Sequence, residues 1–251
     1  MLHSLPQTSS PAPASAPEDR LIIALDSPDA SAAMCLAGQL AGTCRWVKVG
    51  LELYISAGQA VVDSLLGAGF KVFLDLKLHD IPNTVAGAVR SAAASGASML
   101  TVHTLGGPAM LAAAQKAATE VPGGPLLLGV TILTSMDAAQ LSAVGIAGSP
   151  AQAVERLASM GQQAGLSGFV CSPEEVANLR KKLGPKVKLV TPGIRPAGAA
   201  AGDQSRIATP GDALKAGADF LVVGRPITQA ADPLAAARAI LAEMAGLDSY
   251  I

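Results

Sequence analysis

The run Lys71-Val72-Phe73-Leu74-Asp75-Leu76-Lys77-Leu78-His79-Asp80 ends with two carboxylates around one ammonium, in otherwise apolar surroundings. Asp75 and Lys77 stand two positions apart, so in an extended chain they share a face while Leu74 and Leu76 take the other. Strict alternation of this kind points the charged face into a barrel or cleft, where charges must be paired. A plain ion pair on a solvated strand end is the simpler alternative; charge clusters in clefts more often do chemistry. An ammonium flanked by carboxylates stays charged, and a fixed ammonium can stabilise developing negative charge and hand over a proton. Lys48, near the end of another β-rich run, supplies a second cation, and Asp80 a second anion.

Other polar residues fall in the same kind of place. Apolar runs end at or near Asp26, Lys48, His103 and Thr131, with Thr134 and Ser135 just beyond the last. Another leads into Thr191-Pro192-Gly193-Ile194-Arg195, and the final one into Gly224-Arg225. Glycine lets backbone N–H groups approach a phosphate and arginine can grip it with two hydrogen bonds. Gln204 adds a further donor. His103 reads equally as an acid or base and as a satisfied side chain at the rim of the core; His79 reads as a packing or a solvated residue.

These positions need a scaffold that gathers strand ends. Eight β-rich runs supply it: 21–25, 45–49, 71–76, 98–102, 126–132, 168–171, 187–191 and 220–223. Ala-rich helical stretches separate them, and strands alternating with helices form parallel sheets. Eight units in one domain-sized chain predict a single (β/α)8 TIM barrel, with an open doubly wound sheet as competitor. In a barrel all these strand ends meet on one face, and phosphate sites frequently form after the seventh and eighth strands. Ser27-Pro28, Ser172-Pro173-Glu174-Glu175 and Thr209-Pro210 read as helix starts, and Gly42, Gly67, Gly69, Gly96, Gly165 and Gly217 as stops.

Bulk properties narrow the function. Half of the 251 residues are apolar and the net charge is −1, which favours neither nucleic acid nor an anionic membrane as partner. Aromatic residues make up only 3%, too few for base-stacking platforms. Cys35, Cys44 and Cys171 form no metal-type spacing and fit reduced thiols in a cytoplasmic protein, Cys35 and Cys44 as small core fillers. No apolar stretch reaches the length of a membrane span. Residues 1–19, rich in Ser, Pro and Ala, read as a disordered tail ahead of a catalytic domain over 20–251.

The stretch from Asp75 to Thr84, Asp-Leu-Lys-Leu-His-Asp-Ile-Pro-Asn-Thr, resembles the signature of orotidine 5′-monophosphate decarboxylases. Its D-x-K-x-x-D core is shared with a wider group of sugar-phosphate enzymes; the tail from His79 to Thr84 is more specific. Leu25-Asp26, Val47-Lys48-Val49-Gly50, Thr101-Val102-His103, Leu133-Thr134-Ser135-Met136, Thr191 to Pro196, Asp203-Gln204 with Arg206, and Val223 to Ile227 extend the likeness over nearly the whole chain after residue 20. The resemblance implies conversion of orotidine 5′-monophosphate to UMP, the last step of de novo pyrimidine nucleotide synthesis, with no metal or other cofactor. It implies that Lys77 donates the proton to C6 and that Asp75 lies against the substrate carboxylate. Lys48 and Asp80 complete the charge network, and Asp26 and Lys48 hold the ribose hydroxyls. Thr134 and Ser135 lie at the pyrimidine edge, and Arg195, Gln204, Gly224 and Arg225 surround the phosphate. It further implies a homodimer in which Asp80 and Thr84 reach the partner subunit's site. By its Pro-, Gly- and Ala-rich composition the segment 196–202 reads as a closing loop.

Two rivals stand beside this reading. A related sugar-phosphate lyase or decarboxylase would bind Mg²⁺ through carboxylates at the barrel mouth. A catalytically silent nucleotide-phosphate binding protein is possible on any such scaffold. A nicotinamide-dependent dehydrogenase is disfavoured, because no Gly-x-Gly-x-x-Gly follows the first run.

Overall fold

The computed structural model describes residues 16–196 and 206–246. Eight parallel strands close into a barrel in chain order. They are β1 (Leu21–Ala24), β2 (Trp46–Gly50), β3 (Lys71–Leu78), β4 (Met99–His103), β5 (Leu126–Val130), β6 (Gly168–Val170), β7 (Lys188–Thr191) and β8 (Phe220–Val223). The ring closes through β1 and β8, where Ile22 pairs with Val222. The open-sheet alternative is thereby excluded.

The helices around the barrel are α1 (Ala30–Leu40), α2 (Leu51–Ala57), α3 (Gln59–Gly67), α4 (Pro82–Ala94), α5 (Gly107–Thr119), α6 (Ala138–Ala143), α7 (Pro150–Gln163), α8 (Val176–Leu183), α9 (Pro210–Lys215), α10 (Arg225–Thr228) and α11 (Pro233–Ala245). Thr209 caps α9 as its sequence suggests, accepting from the Asp212 amide. Glu175 reaches back to the Ser172 amide at 2.8 Å, although the first turn there is 3₁₀ rather than α. At the first helix the expected start is displaced. Asp29, not Ser27, accepts from the Ser31 amide, because its carboxylate stands directly before Ala30. Pro17–Asp19, expected in the tail, forms a 3₁₀ turn in which Asp19 pairs with Arg45 at 2.9 Å.

Alternation along the strands builds two cores. Leu21, Ile23, Val47, Val49, Val72, Leu74, Leu100 and Val102 face the helices. Ile22, Ala24, Trp46, Phe73, Met99, Leu128, Val190 and Val222 fill the barrel. Phe169 takes the helix side of β6, and its ring occupies the space that a Cβ on Gly129 or Gly161 would need, which lets α7 lie close on the sheet. Cys44 is buried as expected, but Cys35 is exposed, on the solvent side of α1.

Candidate active site

The inward stripe of each strand starts apolar and ends polar. Trp46 is followed inward by Lys48, Phe73 by Asp75, and Met99 by Thr101 and then His103. The polar residues therefore gather at the C-terminal mouth above a plug of apolar side chains, the usual place for a barrel active site.

Four charges alternate across this mouth. Lys48 Nζ donates to Asp26 Oδ1 at 2.8 Å and lies 3.6 Å from Asp75 Oδ2. Lys77 Nζ donates to Asp75 Oδ1 at 2.8 Å. Lys48 is buried and Asp75 nearly so, while Asp26 is 60% exposed at its side chain. Burial alone would raise the Asp75 pKa, but the Lys48 and Lys77 ammoniums, with hydrogen bonds from Lys77 and Thr101, hold it below the usual carboxylate range. Beside the cluster, Phe73, Val130, Ile132, Val170, Val190 and Val222 form a dry wall that Thr134 and Lys77 share. Cys171 also lines this wall, with its thiol pushed up to about 12 chiefly by burial, so it is no nucleophile at neutral pH.

An anion cradle adjoins the charge cluster, since Lys48, Pro192 and Val222 line both cavities. Arg195, Gly224 and Arg225 converge there, with Thr228 and Gln229 beside them. The Arg195 guanidinium is buried and donates to its own Ile194 carbonyl at 2.9 Å. Burial and then the neighbouring Arg225 lower its pKa. Two guanidiniums turned toward one cavity repel each other, and a bound dianion relieves that repulsion.

Several expectations come out differently. The strict alternation expected through Lys77 is broken by a bulge, and Lys77 takes φ 50. Asp80 does not join its own chain's charge cluster; it is exposed and its carboxylate accepts from the Ile81 amide at 2.6 Å. Thr84 and Asp80, expected to serve the partner subunit's site, are both open to solvent on the single chain, Thr84 at the start of α4. Thr134 reaches the cavity wall but Ser135 is exposed and outside it. Gln204 and the expected closing loop beyond Pro196 lie outside the described residues. His103 and His79 stack at 5.5 Å between ring centres, next to the bulge. Burial, then His79 and Lys77, lower the His103 pKa, and its Nδ1 accepts from the Leu105 amide.

Two site residues escaped the reading of single strand ends. Thr101 is fully buried and hydrogen-bonds both Lys77 and Asp75; its signal was a hydroxyl inside the apolar run from Met99 to Val102. Gly50 packs against the Asp26–Lys48 pair, where a Cβ would stand only 3.1 Å from Asp26 Oδ1 and from Lys48 Nζ.

Comparison with known proteins assigns the arrangement. Residues 19–240 match the family described as orotidine 5′-phosphate decarboxylase / HUMPS. The chain belongs to that family. It is 56% identical to the orotidine 5′-phosphate decarboxylase of Halorhodospira halophila, over 90% of this chain and 96% of that one. It is 56% identical to the protein of the same name from an Anaeromyxobacter strain, over 90% and 98%. The crystal structure of the family member from Lactobacillus acidophilus superposes with a TM-score of 0.81 at 39% identity, over 90% of this chain and 99% of that one. An uncharacterised conserved protein from Geobacillus kaustophilus superposes with 0.79 at 37% identity, over 89% and 99%. The family's matched region thus contains both the charge cluster and the anion cradle.

Proposed function

We propose that the chain decarboxylates orotidine 5′-monophosphate to UMP, and that it does so with its own side chains and no cofactor. The observation that carries the reading is the ordered row Asp26, Lys48, Asp75, Lys77, which ends with an ammonium against an apolar wall and begins beside a pair of arginines. Relatives above half identity bear the name of this activity. Loss of CO₂ from C6 leaves a carbanion that the pyrimidine ring delocalises poorly. Lys77 stabilises that charge and protonates C6, and Asp75 lies against the departing carboxylate. Lys48, held by both Asp26 and Asp75, occupies the place between carboxylates that a metal ion would otherwise take. With Asp26 it binds the ribose hydroxyls. Thr134, on the cavity wall, meets the pyrimidine edge, and Arg195, Gln204, Gly224 and Arg225 bind the phosphate, whose binding energy organises the site.

The active form in this reading is a homodimer in the cytoplasm. Leu51 and Ile55 after β2, Ile81 after β3 and Leu105 after β4 are exposed apolar residues at the mouth end, the kind of surface a subunit interface covers. Asp80 and Thr84 flank Ile81 and belong to the partner's site, which accounts for their lack of a role in their own. Residues 1–19 take no part in the chemistry. Among the described residues, no helix is long and apolar enough to cross a membrane. Purified protein in excess chelator, followed by the ultraviolet absorbance of orotidine 5′-monophosphate, is expected to form UMP. No turnover, or turnover of a sugar phosphate that requires added Mg²⁺, would overturn the proposal.

A further inference from the structure

β3 and β4 fall out of step beside the charge cluster. Phe73 pairs with Met99 and Leu74 with Leu100, but the next pair is Leu78 with Val102. Asp75, Leu76 and Lys77 therefore stand opposite Thr101 alone. Lys77 is the one non-glycine residue with positive φ among the described residues. An L-residue holds that conformation only where its surroundings enforce it. Thr101 does so with its side chain. Its Oγ1 accepts from the Lys77 amide at 2.8 Å, in place of the missing ladder partner, and donates to Asp75 Oδ1 at 3.1 Å. A hydroxyl has one hydrogen. With the Lys77 amide donating into the oxygen, that hydrogen is directed to Asp75, which must then act as an acceptor. The same carboxylate oxygen receives the Lys77 ammonium at 2.8 Å.

We infer that Thr101 is a positioning residue: its hydroxyl locks the Lys77 main chain and the Asp75 carboxylate into one unit and so sets where the proton-donating ammonium stands. The inference rests on the decarboxylase reading above. Thr101 is fully buried and meets no solvent, so the simpler role is space filling. The two roles separate by shape and chemistry. Valine keeps the shape and loses the hydroxyl; serine keeps the hydroxyl and loses a methyl.

The experiment compares T101V and T101S with the wild-type chain. For positioning, T101S holds kcat within about threefold, while T101V loses about 10- to 100-fold in kcat with UMP affinity little changed. The acid limb of the T101V kcat profile also moves to higher pH, because Asp75 loses one hydrogen bond to its charged form. Asp75 faces Lys48 from β2, Lys77 from its own strand and, beyond Lys48, Asp26 after β1. His103 from β4, close enough to feel the charge of Lys77, stacks with His79 after β3, and both remain in the variant. Hydrogen exchange at the Lys77 amide provides a readout independent of turnover, and T101V is expected to speed it. T101V with wild-type kcat, acid limb and exchange, or T101S more damaged than T101V, would overturn the inference. Wild-type protein inactive on orotidine 5′-monophosphate, with exchange still faster in T101V, would sink the decarboxylase reading and leave the lock standing. Should T101V not fold, T101A is compared with T101S instead, since those two differ by the hydroxyl alone, and equal kcat in both would overturn the inference.

Discussion

Gly50→Ala is a small change at a place where the structure leaves little room. Gly50 closes β2 in register with Asp75. A Cβ there would stand 3.1 Å from both Asp26 Oδ1 and Lys48 Nζ, whose own separation is 2.8 Å. That is tight for a methyl carbon against a polar atom, so the pair must give by about a few tenths of an ångström. Lys48 cannot retreat freely, because it is buried and Asp75 holds it from the other side at 3.6 Å. A misplacement of about 1 Å costs a catalytic constellation about 100-fold. A few tenths of that displacement scale to roughly a three- to fivefold loss of kcat/KM. The backbone at Gly50, φ −88 and ψ −177, is open to alanine, so stability is expected to stay within about 1 kcal/mol of wild type. Steady-state decarboxylation with a denaturant titration on the same preparation measures both quantities. Full activity in G50A would refute the view that the Lys48 ammonium must stand where it does.

Three further outcomes are expected. Arg225→Ala should weaken UMP binding about 10- to 100-fold and leave uridine binding unchanged, since in the proposed function the guanidinium of Arg225, which lines the cavity beside Arg195, meets only the phosphate; calorimetry showing equal losses for both would contradict the assignment. Arg206 ties the chain before α9 to Glu175 at 2.6 Å and to the Met136 carbonyl at 3.3 Å, so Arg206→Ala leaves the buried Glu175 carboxylate without its cation. A stability loss of about 3 kcal/mol in urea is expected, and a loss under about 1 kcal/mol would show that the pair is dispensable. The lowered pKa of His103 means that the unfolded chain takes up this proton first as pH falls. Stability should therefore decline as pH drops through about 6.5 toward the folded-state pKa; His103→Asn should flatten that part of the curve, and an unchanged slope would contradict it.

The barrel was legible because each strand is a short β-rich run, separated from the next by a helical stretch with capping residues and glycine stops. Lys48, Asp75 and Arg195 were legible as polar residues closing such runs. The bulge at Lys77 was not, because it arises between strands: nothing within 71–78 shows that β4 offers only Thr101 opposite three residues. Thr101 lies within the apolar run from Met99 to Val102, and the role of its hydroxyl depends on what β3 places opposite it. Ser27 displaced Asp29 as the expected cap because both are good caps and a proline follows Ser27. The exposure of Cys35 depends on the helix face, which an Ala-rich segment marks poorly. Asp80 was placed at the mouth correctly, but its absence from its own chain's cluster depends on how the chain turns after Leu78.

The most direct test of the account compares wild-type protein and Lys77→Ala, both in excess chelator, for turnover of orotidine 5′-monophosphate and for UMP affinity. The account expects rapid chelator-resistant turnover in the wild type and its collapse in the variant, with UMP still bound because the arginine cradle is intact. A variant that binds UMP and still decarboxylates at a rate near wild type would contradict the role of Lys77 as proton donor.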